Sequence, residues 1–236
     1  MFWWRNEVRP GVSVAFTDTG AGNLALHVGD NPGDVSARRS RLDDAASLGN
    51  RSFQYMDQVH GNEVALISSY GPGPTADAMV SVPSAGQAAQ PLSVMVADCV
   101  PVVLIGDAGD RGPVIAVAHA GRPGVASAVV PATVNEMRML GALNISAWLG
   151  PSICGSCYEV PEQLREEVAR VAPAAWSSTS WGTPALDLPA GVRAQLAEEG
   201  VTVEYSGECT LENDSLYSYR RDPRTGRFAG LVWTHD

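Results

Sequence analysis

Eight short runs rich in Val, Leu and Ile punctuate the chain, at residues 12–16, 24–28, 63–67, 92–97, 102–105, 114–118, 201–205 and 228–233, and several are bounded by Gly, Pro or Asp. Runs of this length and composition read as β-strands. Helical segments lie between them. Asn31-Pro32 reads as the cap and first residue of a helix closed by Gly49, and Pro161 opens a second helix over residues 162–171. A third covers residues 189–199, with Asp187 as its cap and Gly200 as its stop. Residues 124–140 are apolar and helix-like, with Pro131 predicted to kink or split them. Mixed strands and helices predict an α/β fold, and connections too short for a crossover helix make its sheet partly antiparallel. One domain over residues 1–236 is expected. The only linker-like stretches, 69–75 and 82–91, do not separate halves of contrasting composition, and no internal repeat is apparent.

Charge removes whole classes of function. All 16 basic residues are arginine, so lysine Schiff bases, lysine-bound pyridoxal phosphate and the P-loop lysine are excluded. With 26 acidic residues the net charge is -10, which repels polyanions, so neither nucleic acid nor an anionic membrane surface is an expected partner. The first residues, Met-Phe-Trp-Trp-Arg-Asn-Glu, lack a basic stretch followed by an apolar one and do not read as an export signal; a cytoplasmic location is expected. The most apolar stretch, 91–105, is broken by Asp98 and Pro101 and is too short to span a membrane. In such a chain the four cysteines are expected to be reduced thiols.

Histidine is scarce, with only His27, His60, His119 and His235. His60, in Asp57-Gln58-Val59-His60-Gly61, follows an expected strand, and His119 ends the run 114–118 before Ala120-Gly121. Cys99 ends a third apolar strand, after Ala97-Asp98 and before Pro101. Three strand ends on one sheet edge would bring two imidazoles and a thiolate together, a ligand set that suits zinc and leaves a fourth position open for catalysis. Taken singly, each residue also reads as a buried or hydrogen-bonded side chain.

Cys154-Gly155-Ser156-Cys157 has the spacing of a dithiol centre or half a structural zinc site. No second close pair of ligands accompanies it, and Tyr158-Glu159-Val160-Pro161 delays the helix that a thioredoxin-like centre would open, so loop thiols are expected. Cys209 is expected to be reduced and near the surface of the core. Tyr217-Ser218-Tyr219-Arg220-Arg221-Asp222 joins an expected strand to adjacent guanidinium groups, before a turn at 223–226. The pair reads either as an anion site, since guanidinium binds phosphate bidentately, or as a solvated pair salt-bridged to Asp222.

Asn23-Leu24-Ala25-Leu26-His27-Val28-Gly29-Asp30, Gln58-Val59-His60-Gly61, Ala76-Asp77-Ala78, Ala97-Asp98-Cys99-Val100-Pro101, His119-Ala120-Gly121, Leu149-Gly150-Pro151-Ser152-Ile153, Cys157-Tyr158-Glu159-Val160 and Ser218-Tyr219-Arg220-Arg221-Asp222 occur in the order seen in the YfiH-like laccase-domain family, which the chain resembles over nearly its whole length. That family is also called polyphenol oxidase, purine nucleoside phosphorylase and peptidoglycan editing factor. The resemblance implies a single three-layer α/β/α domain with a mixed sheet and a zinc site of His60, Cys99 and His119. It further implies phosphorolysis of adenosine, inosine and S-methyl-5'-thioadenosine, with adenosine deamination as a second activity. Where the family commonly reads His-Ala-Gly-Trp-Arg-Gly, this chain reads His119-Ala120-Gly121-Arg122-Pro123-Gly124, so an aromatic ring is lost and the arginine arrives one position early. Cys154 also departs from the family pattern. Four histidines cannot supply the repeated pairs of a multicopper cluster, which argues against laccase chemistry and for zinc over copper.

The expected site therefore has Cys99, His119 and Asp98 in catalytic roles, and Arg220, Arg221, Arg122, Asn23 and Asp77 on the substrate. Phosphate would rest on the arginines, with zinc and Asp98 or Asp77 acting at the purine. The partners are a purine nucleoside and phosphate, and the chain is expected as a monomer or homodimer. Two alternatives stand beside this reading. One is a metal-free Cys99–His119 thiol hydrolase acting on an amide, and the other a non-catalytic factor that edits peptidoglycan precursors by binding.

Overall fold

The computed structural model describes residues 1–84 and 86–235. In chain order the elements are β1 (Phe2–Arg9), β2 (Val12–Thr17), α1 (Pro32–Ala45), β3 (Val64–Ile67), β4 (Ala78–Ser81), β5 (Leu92–Val96), β6 (Val100–Asp107), β7 (Pro113–Ala120), α2 (Arg122–Ala126), α3 (Val129–Met139), β8 (Leu143–Leu149), α4 (Glu162–Val171), β9 (Trp176–Ser178), β10 (Pro184–Leu186), α5 (Leu188–Glu198), β11 (Thr202–Tyr205) and β12 (Phe228–Thr234). A six-stranded sheet runs β11-β8-β6-β7-β4-β3, and a four-stranded sheet runs β1-β2-β12-β5. The larger sheet is mixed, because β11 pairs with β8 and β3 with β4 in parallel while its other pairs are antiparallel. The smaller sheet is antiparallel throughout.

The continuous apolar runs have a direct cause, since strands covered on both faces need not alternate with polar residues. In β6, Val100, Val102 and Leu104 face α2 to α5, whereas Val103 and Ile105 face the other sheet. In β7, Val114, Ala116 and Ala118 take the helix side, and Ile115 and Val117 the sheet side. The second sheet closes over these residues with Val12, Val14, Phe16, Leu92, Val94 and Val232. Its outer face carries Ala15, Met95, Ala229, Leu231 and Trp233 against Leu42 and Ala46 at α1. The mixed α/β fold with outer helices thus matches expectation, and its β layer consists of two sheets stacked face to face.

Asn31 and Asp187 cap their helices as the sequence indicates, but α1 stops at Ala45 with Ala46 as its C-cap, short of the expected Gly49. Asn31 accepts a hydrogen bond from the Gly33 amide at 2.8 Å to start α1, and Asp187 accepts one from Ala190 at 2.8 Å to start α5. Four other expectations need correction. Residues 24–28 form no strand, because the Arg39 guanidinium takes the Leu24 carbonyl and the Asn23 side chain binds Ala25 at both N and O. Residues 217–221 form no strand: 217–218 are irregular and 219–221 a turn, with the Asp222 amide closing back onto the Ser218 carbonyl. The segment before His60 is a loop with isolated bridges at Gln54 and Asp57. The helix break falls at Ser127-Ala128, where Ala128 has φ +62°, and Pro131 lies harmlessly in the first turn of α3, where its missing N–H has no partner to lose. Among the described residues, no helix is long and apolar enough to cross a membrane.

Candidate active site and metal centre

Three chain segments deliver the central residues. The loop before His60 is fastened to β5 by Gln58, whose amide donates to the Met95 carbonyl at 2.7 Å and accepts from the Met95 amide at 2.9 Å. His60 itself has φ +62°, which turns its ring off the loop. The tight turn from β5 into β6 places Asp98 at φ +86° and Cys99 after it. His119 lies near the end of β7, where its amide donates to the Asp77 carbonyl at 2.7 Å. It has the parity of Ile115 and Val117, so its ring emerges on the intersheet side just beyond the packed core.

Asp77 organises the group. Fully buried, its carboxylate accepts the His119 Nδ1 proton at 2.8 Å, the His60 amide at 2.8 Å, the Gly61 amide at 2.6 Å and the Val59 amide at 3.2 Å. Burial opposes its ionisation, but His119 and these amides outweigh it and hold its pKa below the ordinary value. With a proton on Nδ1 directed at Asp77, His119 turns Nε2 to the centre, the nitrogen that would ligate a metal on releasing its own proton.

Single ligand atoms of His60, Cys99 and His119 lie within 4.8 Å of one another. His60 Nε2 is 3.9 Å from Cys99 Sγ, and the two imidazoles meet edge to face with centroids 4.5 Å apart. Gly121 is required here for space. A Cβ at that position would come within 2.8 Å of His60 Cδ2 and 3.0 Å of Cys99 Sγ. Two imidazole nitrogens and a sulfur, one nitrogen fixed by a buried carboxylate, fit a zinc-type ion with an open coordination position. Burial works against ionisation of Cys99, yet the neighbouring histidines pull its thiol down to about 6. Burial likewise opposes charge on His119, but Cys99 and Asp77 raise it to about 9.

The trio opens into a cavity of about 680 Å³, which also receives His27, Gln58, Arg122, Tyr158, Arg220 and Arg227. Arg220 donates to the Glu159 carbonyl at 2.9 Å and stands 4.9 Å from the Tyr158 ring, while Arg122 opens α2 and reaches the Tyr158 side chain. Burial lowers the pKa of His27, helped by Arg227.

Several predicted site residues have other duties. Asp98 borders the cavity, but its oxygens accept from Thr210 Oγ1 and from the Arg220 amide, each at 2.6 Å, so it positions the arginine turn instead of offering a free acid. Asp77 is spent behind His119 and does not line the cavity. Asn23 is also away from it, buried and bonded to Ala25 and to the Arg227 amide at 3.0 Å. Arg221 points the opposite way from Arg220, donating to the carbonyls of Thr210, Leu211, Asn213 and Leu216. The sequence reading missed Arg227, His27 and Tyr158 as cavity residues. Arg227 could have been found from its place immediately before the strand that β12 forms. The reading also missed that Cys209 and Glu212 come up to Cys154 and Cys157.

A family model described as multi-copper polyphenol oxidoreductase laccase matches residues 6–235. The chain belongs to the YfiH-like laccase-domain family. Laccase-domain relatives include a protein of Streptomyces griseus named purine nucleoside phosphorylase, 45% identical over 93% of each chain. One of Mycobacterium tuberculosis with the same name is 42% identical, covering 94% of this chain and 88% of its own. Among solved laccase-domain structures, that of a Neisseria meningitidis protein superposes with a TM-score of 0.84 at 31% identity, covering 100% of this chain and 99% of the other.

Proposed function

We propose that this laccase-domain protein is a zinc-dependent purine nucleoside phosphorylase, cleaving adenosine, inosine and S-methyl-5'-thioadenosine with phosphate, with adenosine deamination as a second activity of the same cavity. The observation that carries the reading is the meeting of the His60, Cys99 and His119 trio with Arg122, Arg220 and Arg227 in one cavity. The names of the relatives support the same class. A phosphate oxygen would bond to the anomeric carbon as the bond to the purine nitrogen breaks, its electron pair passing into the base, to give free base and ribose 1-phosphate. Guanidinium groups would hold the phosphate dianion by charge-assisted hydrogen bonds. Met95, Ile153 and Leu188 supply apolar walls that exclude water from the sugar, and Tyr158 offers a ring for a planar base. Zinc held by the trio would supply a Lewis acid able to stabilise charge on the leaving base or to activate water. The few histidines argue against a multicopper centre.

The test is base release from adenosine, inosine and S-methyl-5'-thioadenosine, with and without phosphate, by the wild type, Cys99→Ala and Arg220→Ala proteins. Phosphate-dependent release that Cys99→Ala abolishes together with bound zinc, and a raised phosphate KM in Arg220→Ala, are expected. Full phosphorolysis by Cys99→Ala would sink the assignment. A second reading is favoured by one observation, Cys99 and His119 within 4.8 Å of each other, where a thiol drawn down to about 6 and an imidazole raised to about 9 would form a thiolate–imidazolium pair with Cys99 as nucleophile on an amide and His119 as the acid for its leaving group. Stable acylation of Cys99 by an amide-derived probe, in chelated protein inactive on nucleosides, would select it.

A further inference from the structure

The remaining three cysteines form a second cluster. Cys154 and Cys157 lie in the turn that follows β8, and Cys209 and Glu212 in the segment that follows β11. One ligand atom from each of the four lies within 4.8 Å of the others. None of the four lines the cavity.

The local backbone is arranged for it. The Cys157 and Tyr158 amides both donate to the Cys154 carbonyl at 3.0 Å, winding the C-x-x-C turn so that its two sulfurs share a side. Close packing sets this turn in place, because a Cβ on Gly155 would meet Asp187 Cβ at 2.6 Å. From the other segment, the Glu212 amide donates to the Cys209 carbonyl at 3.3 Å, folding the Glu212 carboxylate back toward the Cys209 sulfur. The segments are joined by a bridge between Ser152 and Cys209, and the Cys154 amide points at Cys209 Sγ from 3.4 Å. A backbone N–H directed at a sulfur is an outer contact of the kind that orients a ligating atom.

We propose that Cys154, Cys157, Cys209 and Glu212 form a structural metal site, separate from the cavity, for a thiophilic divalent cation of the zinc type. Zinc–sulfur bonds of about 2.3 Å give a tetrahedron with edges of about 3.8 Å, so a contraction of roughly 1 Å closes the shell. Four protein ligands leave no open position, which marks a structural role. A carboxylate oxygen in the set favours zinc over monovalent copper, which prefers sulfur alone. A disulfide would use two of the sulfurs and leave a third thiol and a carboxylate pressed against it. The ion would staple two loops that build the cavity wall. One carries Tyr158; the other carries Thr210, which holds Asp98, and the carbonyls that hold Arg221.

The experiment uses full-length Cys99→Ala protein, in which the first centre has no thiolate. Zinc content per chain and the near-ultraviolet thiolate charge-transfer band after cobalt loading are measured on it, on Cys99→Ala/Cys209→Ser and on Cys99→Ala/Glu212→Ala. One zinc and a strong sulfur band are expected in the first, with both lost on removing Cys209. Glu212 is exposed, so its variant tests the site without disturbing the core; there, zinc affinity should fall tenfold or more. A Cys99→Ala protein that takes up cobalt without a sulfur band overturns the proposal. So does a disulfide between any two of the three cysteines in protein purified without reductant.

Discussion

Asp77 makes the sharpest test of how the first centre is held. The substitution Asp77→Asn keeps the shape but removes the charge and turns one acceptor into a donor. The carboxylate now satisfies four N–H groups, from His119, His60, Gly61 and Val59. If the amide oxygen of the new side chain stays on His119, its NH2 faces the Gly61 and Val59 amides. If it turns, the NH2 faces Nδ1 of His119, which then gives up its proton and ligates through the wrong nitrogen. Each buried group left unpaired costs about 1–3 kcal/mol. Breaking a buried charged pair costs roughly 3–5 kcal/mol in all, a Tm loss on the order of 10 °C for a chain of this size. Losing the partner of a ligating histidine should weaken metal binding about 10- to 100-fold. Competition titration of zinc against a chromophoric chelator at neutral pH, with calorimetry of loaded and chelated protein, reads both effects. A variant that binds zinc within twofold of the wild type would refute the argument that Asp77 sets the His119 tautomer.

Three further outcomes are expected. Gly121→Ala drives a methyl group against His60 and Cys99, an overpacking cost of about 1–3 kcal/mol that falls on the ligands, so zinc affinity should drop while circular dichroism stays native. Arg221→Ala removes a guanidinium that gathers four carbonyls, and should cost about 2 kcal/mol and on the order of 5 °C in Tm, with phosphate KM unchanged, in contrast to Arg220→Ala. In chelated protein, alkylation of Cys99 should rise with pH through about 6. Because the folded thiol titrates below its unfolded value, its thiolate contributes stability above the ordinary thiol range, and that contribution is lost as pH falls through about 6. His119 runs the opposite way: its raised value contributes below about 6.5 and is lost as pH climbs through about 9. His119→Ala should therefore move the Cys99 midpoint upward, since the imidazole that favours the thiolate is gone, and a midpoint left near 6 would contradict the pairing.

Much of this was legible in the sequence for physical reasons. Strands sandwiched between two layers, such as β6 and β7, announce themselves as unbroken Val and Ile runs. β1 did not, because Arg5, Asn6 and Glu7 at its centre are exposed and break the apolar signal. Leu24 to Val28 looks like a strand by composition, but side chains from Asn23 and Arg39 take backbone groups that a ladder would need. Cys99 and His119 were recognisable because each stands where an apolar strand meets a turn, whereas His60 follows a loop and is brought to them by Gln58 and Asp77. The arginines were half legible. Adjacent residues such as Arg220 and Arg221 point apart, and only the fold decides which one reaches the cavity. The approach of Cys209 to Cys154 and Cys157 depends on β11 pairing beside β8, a contact that no local pattern encodes.

The place of β12 in its sheet bears on how the protein is made. β5, which leads into the Cys99 turn, has β12 as its neighbour within the sheet, and on its other edge a single bridge to Gln54. During synthesis, His119, the last ligand of the first centre, is joined to the chain more than a hundred residues before Phe228. Over that interval β5 lacks its ladder partner, while the Gln58 bonds to Met95, the pairing of β6 with β7 and the Ile153 amide on the Asp98 carbonyl already hold the Cys99 turn toward His60 and His119. His60, Cys99 and His119 are thus brought together before the last strand is made, and what the end of the chain adds is the closing ladder of β5 and the Arg227 wall of the cavity.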